Sequence, residues 1–315
     1  MRVCLMIEGQ EGVSWESWVA LARTCEEHGL EGLFRSDHYG STVAGGARAS
    51  LDAWATLAAL APLTERIRLG TLVSPVGFRH PSVLAKSALT VDHASGGRVE
   101  VGLGAGWMER EHRAFGFDFP DVGTRTVLLA EHVEIVHRQL LAEPFSFAGE
   151  YLRLEECVPL PPPVQQPRPP LIVGGRGGRG TLAPAVRFAD EYNTPFRSVE
   201  ECADLRRKLD DACDRHGREP RSLPLSLMTG CVVAADGEEL RERLRRRIRR
   251  GNGREDPDGL RRRAGAHSVF GTPREAIERL RAYGDAGVER VMLQHLDHED
   301  LAMVELIGRE IVPVV

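Results

Sequence analysis

The sequence lacks the features that tie a chain to a membrane, to nucleic acid or to the secretory pathway. No apolar run is long enough to cross a bilayer. The opening residues, MRVCLMIEG, are typical of a short strand that enters polar sequence rather than of a signal peptide. A net charge of −5, with 28% charged and 42% hydrophobic residues, is ordinary for a globular protein. We therefore expect a cytoplasmic protein with no membrane and no nucleic-acid partner.

The chain also lacks closely spaced cysteines. Its six cysteines lie far apart and form no CxxC pair, which argues against a zinc site. We expect them to be unpaired thiols in a reducing compartment. His295 and His298 flank Asp297, but no third ligand follows at a suitable spacing, so we expect no metal site.

An arginine-rich run, RERLRRRIRR at 241–250, is the one segment that invites a nucleic-acid interpretation. Leu240, Leu244 and Ile248 recur every four residues along it, which predicts an amphipathic helix with its apolar stripe against the core. We expect the arginines to be solvated.

Strand-like and helix-like patterns alternate from end to end. Eight strands, each followed by a helix, predict a closed α/β (β/α)₈ TIM barrel, with a single domain over residues 1–315 and an open doubly wound sheet as the alternative. An insertion with a probable hairpin follows the fourth βα unit, and a long loop at 249–267 follows the seventh strand. The predicted strands are 2–7, 32–35, 67–73, 99–103, 171–173, 189–192 (the weakest), 225–233 and 288–294.

Two strands end in glycine-rich loops. The strand at 99–103 runs into Gly104, Gly106 and Trp107, and a helix is expected to begin at Trp107. Glycine lets a backbone approach a ligand closely, and a helix N-terminus offers free N–H groups. This order predicts a ligand site at the C-terminal end of a parallel strand, although tight βα turns also use glycine for steric reasons.

The second loop combines glycines with arginines. It contains Gly174, Gly175, Arg176, Gly177 and Gly178, followed by Arg179 and a helix. Backbone N–H groups, the helix dipole and guanidinium charge together suit a phosphate group. The loop is neither a P-loop, which needs Gly-Lys-Ser/Thr, nor a GxGxxG fingerprint. A flexible loop without a ligand is the alternative.

Two further clusters lie at the ends of the second and third strands. Asp37 and His38 follow the second strand, where a histidine can exchange protons near neutral pH. A purely structural Asp-His pair is the alternative. The third strand contains Gly70, and a glycine inside a strand often marks a bulge or a close backbone contact.

These clusters, in this order, resemble the luciferase-like monooxygenase superfamily of flavin- and deazaflavin-dependent oxidoreductases, and most of all its branch that depends on coenzyme F420. The resemblance covers nearly the whole chain. The motifs that carry it are LDAWATLAALA at 51–61, RIRLGTLVSPVGFRHPSVLAK at 66–86, DHASGGRVEVGLGAGWMEREH at 92–112, PVQQPRPPLIVGG at 163–175, ADEYN at 189–193 and VFGTPREAIERLRAYGDAGVERVMLQ at 269–294.

The resemblance implies roles for individual residues. It implies a (β/α)₈ barrel whose third strand bulges, often with a non-prolyl cis peptide bond, to support the tricyclic ring of the cofactor. His38 is implied as the group that donates a proton or polarises the substrate. The implied cofactor-binding residues are Asp37, Thr71, Leu72, Val73 and Ser74, then Gly104, Gly106 and Trp107 near the ring, and Gly174, Gly175, Arg176, Gly177 and Gly178 as the phosphate cradle.

One departure from the pattern concerns the general base. Some sugar-oxidising relatives carry a glutamate where this chain has Trp107, and neither Glu109 nor Glu111 can be assigned to that role from the sequence. The resemblance implies an oxidoreductase that transfers a hydride between non-covalently bound F420 and a small organic substrate, as a homodimer. The alternatives are an FMN-dependent monooxygenase, a non-catalytic flavin-binding protein and a metal-dependent barrel hydrolase.

Overall fold

The computed structural model describes residues 1–43 and 47–315, and in them a parallel sheet closes into a barrel. Eight parallel strands form the barrel. They are β1 (Arg2–Ile7), β2 (Gly32–Arg35), β3 (Arg68–Thr71), β5 (Val99–Gly104), β8 (Leu171–Gly174), β9 (Glu191–Pro195), β10 (Leu225–Val233) and β12 (Val288–Gln294). Two short strands extend the sheet at its C-terminal end: β4 (Ser74–Pro75) pairs with β5, and β11 (Ser268–Gly271) pairs with β10.

The barrel closes because the first and last strands pair. Val3 of β1 lies opposite Val291 of β12, and β12 in turn pairs with β10. The predicted (β/α)₈ barrel is therefore confirmed, and the open sheet is wrong.

Helices surround the barrel. They are α1 (Trp15–Glu27), α2 (Ala53–Leu60), α3 (Pro81–Ser95), α4 (Glu109–Phe115), α5 (Val122–Leu140), α6 (Arg179–Phe188), α7 (Val199–Arg215), α8 (Gly237–Arg250), α9 (Pro257–Ala264), α10 (Pro273–Asp285) and α11 (Leu301–Glu310). The main apolar core lies between their inner faces and the strands, while a smaller cluster that includes Met6, Phe34 and Met292 fills the barrel itself. No helix in the described ranges is long and apolar enough to cross a membrane.

The insertion after the fourth βα unit contains the expected hairpin, β6 (Phe145–Ala148) and β7 (Arg153–Cys157), which pair antiparallel. All six cysteines are free thiols, as expected.

The segment at 249–267 is more ordered than a loop. Asp256 caps α9 by accepting a hydrogen bond from the backbone N–H of Gly259, Pro257 occupies the first turn, and Leu260 is buried. These are standard start signals for a helix, which the high content of Gly, Arg and Asp obscured. The helix after the fourth strand begins at Glu109 rather than at Trp107.

The structure of α8 confirms the predicted apolar stripe, but not all of its arginines are solvated. Leu240, Leu244 and Ile248 are buried. Arg243 is buried as well, because its guanidinium donates to the backbone carbonyl of Val233 and forms an ion pair with a carboxylate after β12. The solvated arginines that the pattern predicted are therefore only part of the run.

Candidate active site at the barrel mouth

The C-terminal ends of the strands bring the predicted site residues to one end of the barrel. The closed parallel topology places the residues after β2, the break after β3 and the two glycine loops around a single opening. The third strand is interrupted between Thr71 and Ser74, and the Leu72–Val73 peptide bond is cis. This non-prolyl cis bond lies where the resemblance implied one.

The side chain of Val73 gives a steric reason for glycine at two positions. A Cβ on Gly104 would lie 2.5 Å from Cγ2 of Val73, and a Cβ on Gly174 would lie 3.0 Å from Cγ1 of the same side chain. Both contacts are too close for a side chain. The space that these two glycines leave open on the barrel side is thus filled by the third strand, which is a steric reason for their presence. Their contact with a cofactor stays a prediction.

Asp37 supports the interrupted third strand. Its Oδ2 accepts hydrogen bonds from Ser74 Oγ at 2.6 Å and from Arg79 Nη1 at 2.6 Å, and the residue is buried. Burial raises the pKa of Asp37, although Arg79 and Ser74 oppose that shift. The Trp54 indole N–H donates to Ser74 Oγ at 3.0 Å. Asp37 thus ties the end of β2 to the third strand at the break.

His38 is held by a carboxylate of helix α4. Its Nδ1 lies 2.6 Å from Glu111 Oε2, and the other oxygen of Glu111 accepts the backbone N–H of Gly40 at 3.0 Å. The Trp107 ring lies edge-on to the imidazole, with centroids 5.9 Å apart. Only 12% of the His38 side chain and 1% of the Glu111 side chain are exposed. The contact between Nδ1 and Glu111 leaves Nε2 as the ring nitrogen that can meet a ligand.

The electrostatics of this pair favour a charged imidazole. Burial alone would lower the pKa of His38, but the hydrogen bond and the negative charge of Glu111 outweigh it, so the pKa is raised. Burial likewise opposes ionisation of Glu111, and the bond to His38 overcomes it and lowers the pKa of that carboxyl. The pair therefore stabilises an imidazolium and a carboxylate in contact.

The second glycine loop leads into a helix with free N–H groups. Within the described residues, the backbone N–H groups of Arg179 and Gly180, in the first turn of α6, have no acceptor, and Gly178 provides no side-chain cap. Gly177 has a φ of 80°, and its N–H is already bound to the Tyr192 hydroxyl at 2.8 Å. Arg176 is exposed beside the loop. The arrangement suits an anion at the N-terminus of α6.

Among the α-helices of the described residues, only α4 and α6 begin without a side chain that caps the N-terminus. These are the helices that follow the two glycine loops. The others have Ser, Thr, Asp or His in the capping position. Because such a cap contributes about 1 kcal/mol, its omission at the barrel mouth leaves amide donors for another partner.

The profile of the luciferase-like monooxygenase family matches residues 2–290. The chain belongs to the luciferase-like monooxygenase family. This is a family of oxidoreductases and monooxygenases, and solved structures similar to this chain include both F420-dependent and FMN-dependent proteins.

Three relatives show the range of the family. An uncharacterised protein of Mycobacterium tuberculosis is 36% identical over 151 residues, which is 48% of this chain, and the match spans only about half, 52%, of that relative. The FMNH₂-dependent dimethylsulfone monooxygenase of Pseudomonas putida is 25% identical over 82% of this chain and 76% of its own. An F420-dependent secondary alcohol dehydrogenase superposes with a TM-score of 0.81 at 20% identity, covering 100% of this chain and 99% of its own, which shows a shared fold.

Sequence reasoning did not assign two carboxylates at the mouth. Glu111 lies 73 positions from His38, so nothing local indicated their contact. Glu8 follows β1, and its two oxygens accept hydrogen bonds from Gln294 at 2.6 Å and from Gln10 at 2.9 Å. Its position directly after a barrel strand was the one available signal.

Proposed function

We propose that the protein is an oxidoreductase that binds coenzyme F420 without a covalent bond and exchanges a hydride with a small organic substrate at the barrel mouth. The observation that carries the proposal is that one mouth contains both the uncapped N-terminus of α6 and the His38–Glu111 pair. Membership of the luciferase-like family and the F420-dependent structural neighbour support it.

The residues of the second glycine loop fit a phosphate-bearing cofactor. The first-turn amides of α6 point at the loop, and Arg176 and Arg179 are exposed beside them. Gly178 has an extended backbone, and a Cβ there would meet nothing within 4 Å, so the approach to these amides is open. A bound deazaflavin supplies two-electron hydride chemistry that side chains lack.

The proposed role of His38 is to hold a proton at Nε2 for the substrate. Glu111 orients the ring through Nδ1 and keeps the imidazole charged to a higher pH than an isolated histidine. Trp107 lies on the open side of His38 and is 66% exposed, so it forms an apolar wall at the mouth. General acid chemistry of this kind contributes about 10²- to 10⁴-fold in rate.

An FMN-dependent monooxygenase is the second candidate. The relative from Pseudomonas putida favours it, because its similarity extends over most of both chains and it is an FMNH₂-dependent enzyme. Both cofactors carry a tricyclic ring and a phosphate, so the cradle at α6 suits either. A non-catalytic flavin-binding protein is the third candidate.

The deciding experiment is a titration of the purified protein with F420 and with FMN in parallel, followed by cofactor fluorescence. Micromolar or tighter binding of F420 with weaker binding of FMN is the expected result. The opposite preference, with oxygen consumption, would replace the lead proposal by the monooxygenase.

Three variants at one position test the cradle. Gly178→Asp provides a charged cap that occupies the α6 amides and repels phosphate, so we expect the Kd of the cofactor to rise on the order of 10-fold or more. Gly178→Asn caps without charge, and Gly178→Ala does neither. Riboflavin, which lacks the phosphate, should bind all three variants alike. Equal Kd values for the phosphorylated cofactor in wild type and Gly178→Asp would remove the cradle from the proposal.

We also propose that the protein acts in the cytoplasm as a homodimer on a small-molecule substrate, which rests on the family resemblance. Light scattering during size-exclusion chromatography should give twice the chain mass of 34.7 kDa. A mass equal to that of one chain would refute the dimer.

A further inference from the structure

Arg247 of α8 reaches the inner side of the barrel mouth. A Cβ on Gly230 would lie 2.9 Å from Nη2 of Arg247, so a larger residue at this position would displace the guanidinium. Met228, two residues earlier in β10, packs against the apolar cluster inside the barrel. Because side chains alternate along a strand, Gly230 faces the interior as well. Arg247 thus lies over the opening on the side of β10.

The guanidinium of Arg247 has no counter-ion in the described part of the chain. It forms no hydrogen bond and no ion pair there, and its Nη1 is buried without a partner. Its neighbours on the helix differ: Arg243, Arg246 and Arg250 each form ion pairs with carboxylates after β12. Burial lowers the pKa of Arg247 to about 10, and Cys231 and Glu8 oppose that shift only in part. A desolvated cation of this kind is costly unless an anion joins it.

The surroundings hold the guanidinium in place without neutralising it. Its Cζ lies 5.4 Å from the centroid of the Phe270 ring. Glu8 is one nearby carboxylate, and Gln294 and Gln10 hold both of its oxygens. Asp297 and Asp300 line the same cavity, and they pair with other arginines of α8. Ser268 Oγ would lie 3.3 Å from the same Cβ on Gly230, so a hydroxyl and the guanidinium border the same space. A cation and a hydroxyl together suit an oxyanion.

A second unpartnered nitrogen lies close by. Nε2 of His295 is buried without a partner, and His295 and Arg247 line the same small cavity of about 10 Å³. A cavity of that size has room for a single oxygen atom. Burial lowers the pKa of His295 to about 4, so the ring is neutral at pH 7 and Arg247 supplies the charge.

We propose that Arg247 binds an oxyanion, a carboxylate or a phosphate, of the small molecule that enters the barrel mouth. This names the chemical class of the ligand and rests on the proposed function only in placing a ligand at this mouth. The oxyanion belongs either to the substrate or to the cofactor, and the test separates the two.

The test measures binding of benzoate and inorganic phosphate to the purified full-length protein by calorimetry, together with the affinities of F420, FMN and riboflavin. The variants are Arg247→Gln, which removes the charge, and Arg247→Lys, which keeps it. The control is Arg245→Gln, because Arg245 is exposed on the same helix and forms an exposed ion pair with Glu242. Gly178→Asp isolates phosphate that binds at α6.

If the oxyanion belongs to the substrate, Arg247→Gln weakens benzoate binding at least 10-fold and leaves the affinities of all three flavins unchanged. Arg247→Lys then retains part of the binding, and Arg245→Gln behaves as wild type. If it belongs to the cofactor, Arg247→Gln weakens F420 or FMN and spares riboflavin. The proposal is overturned if Arg247→Gln binds every probe as wild type does, or if neither anion binds the wild type and the flavin affinities do not change. Failure of F420 to bind would refute the proposed cofactor while leaving the benzoate result intact.

Discussion

The two ends of the barrel differ in whether their arginines are paired with carboxylates. At the N-terminal end, Arg290 is 1% exposed, and its guanidinium meets Glu100 at 2.7 Å, Glu31 at 2.9 Å and Glu191 at 3.2 Å. These carboxylates raise the pKa of Arg290 against the effect of burial. At the C-terminal mouth, Arg247 has no counter-ion among the described residues and α6 has no cap. The buried arginine of one end is paired, whereas Arg247 at the other end lacks an anion, and that other end is the one at which we propose that a ligand binds.

The largest expected effect comes from breaking the paired end. Arg290→Met removes the buried cation from Glu100 and Glu191 and leaves them only the more exposed Arg68 and Arg2, so the free energy of unfolding should fall by about 3–5 kcal/mol. Urea denaturation measures it. Arg153→Met is the control, because the Arg153–Glu155 pair is exposed and should contribute at most about 0.5 kcal/mol. Equal losses in the two variants would show that the buried ion pairs of Arg290 stabilise the protein no more than the exposed Arg153–Glu155 pair does.

A smaller effect is expected at the His38–Glu111 ion pair of the mouth. Glu111→Gln removes a charge-assisted hydrogen bond to His38 and should reduce the free energy of unfolding by about 2 kcal/mol. NMR titration should show that the pKa of His38 falls in the variant. A pKa that stays the same would mean that Glu111 does not set the protonation of His38.

The same pair has a predicted pH dependence. The pKa of His38 is raised, so its contribution is complete below the ordinary value of 6.5 and is lost as the pH rises through the raised pKa. The pKa of Glu111 is lowered, so its contribution is complete above 4.5 and is lost as the pH falls through the lowered pKa. The difference in stability between wild type and Glu111→Gln should therefore be largest between these values and shrink on both sides. A difference that is constant from pH 4 to pH 9 would contradict it.

The smallest expected effect is an increase in the free energy of unfolding rather than a decrease. Arg247→Met removes a partly buried, unpaired cation and keeps the apolar stem, so the protein without ligand should gain about 1 kcal/mol. Thermal unfolding in a buffer without phosphate or carboxylate measures it. A loss of stability comparable to that of Arg290→Met would show that Arg247 has a structural partner. The two ends of the barrel would then not differ in the pairing of their arginines.

Much of the fold could be predicted from local pattern. The strand at 225–233 and the stripe of Leu240, Leu244 and Ile248 have the predicted bounds and burial, because periodic apolar residues report directly which face is buried. The sixth strand was predicted at 189–192 but spans Glu191–Pro195. Its polar residues face neighbours inside the barrel, such as Ser226, which a hydrophobic pattern does not reveal.

The candidate site was only partly predictable. The glycine loops and the Asp-His pair lie next to strand ends, so the sequence placed the candidate site at the C-terminal end of the barrel, and the structure brings these residues together there. The partner of His38 is Glu111 of α4, and the space beside Gly104 is filled by Val73; both contacts join segments that are distant in the sequence. Arg243 and Arg247 lie four residues apart on one helix, yet only Arg243 meets an acid.

The sequence by itself determined the order of strands and helices, the end of the barrel at which a site is predicted, and the family. The tertiary structure alone decided which charges find partners. Periodicity and turn residues act over a few positions, so they can be read along the chain. The pairing of Arg290 with three carboxylates, and the isolation of Arg247 above Gly230, depend on distances between elements that meet only when the barrel closes.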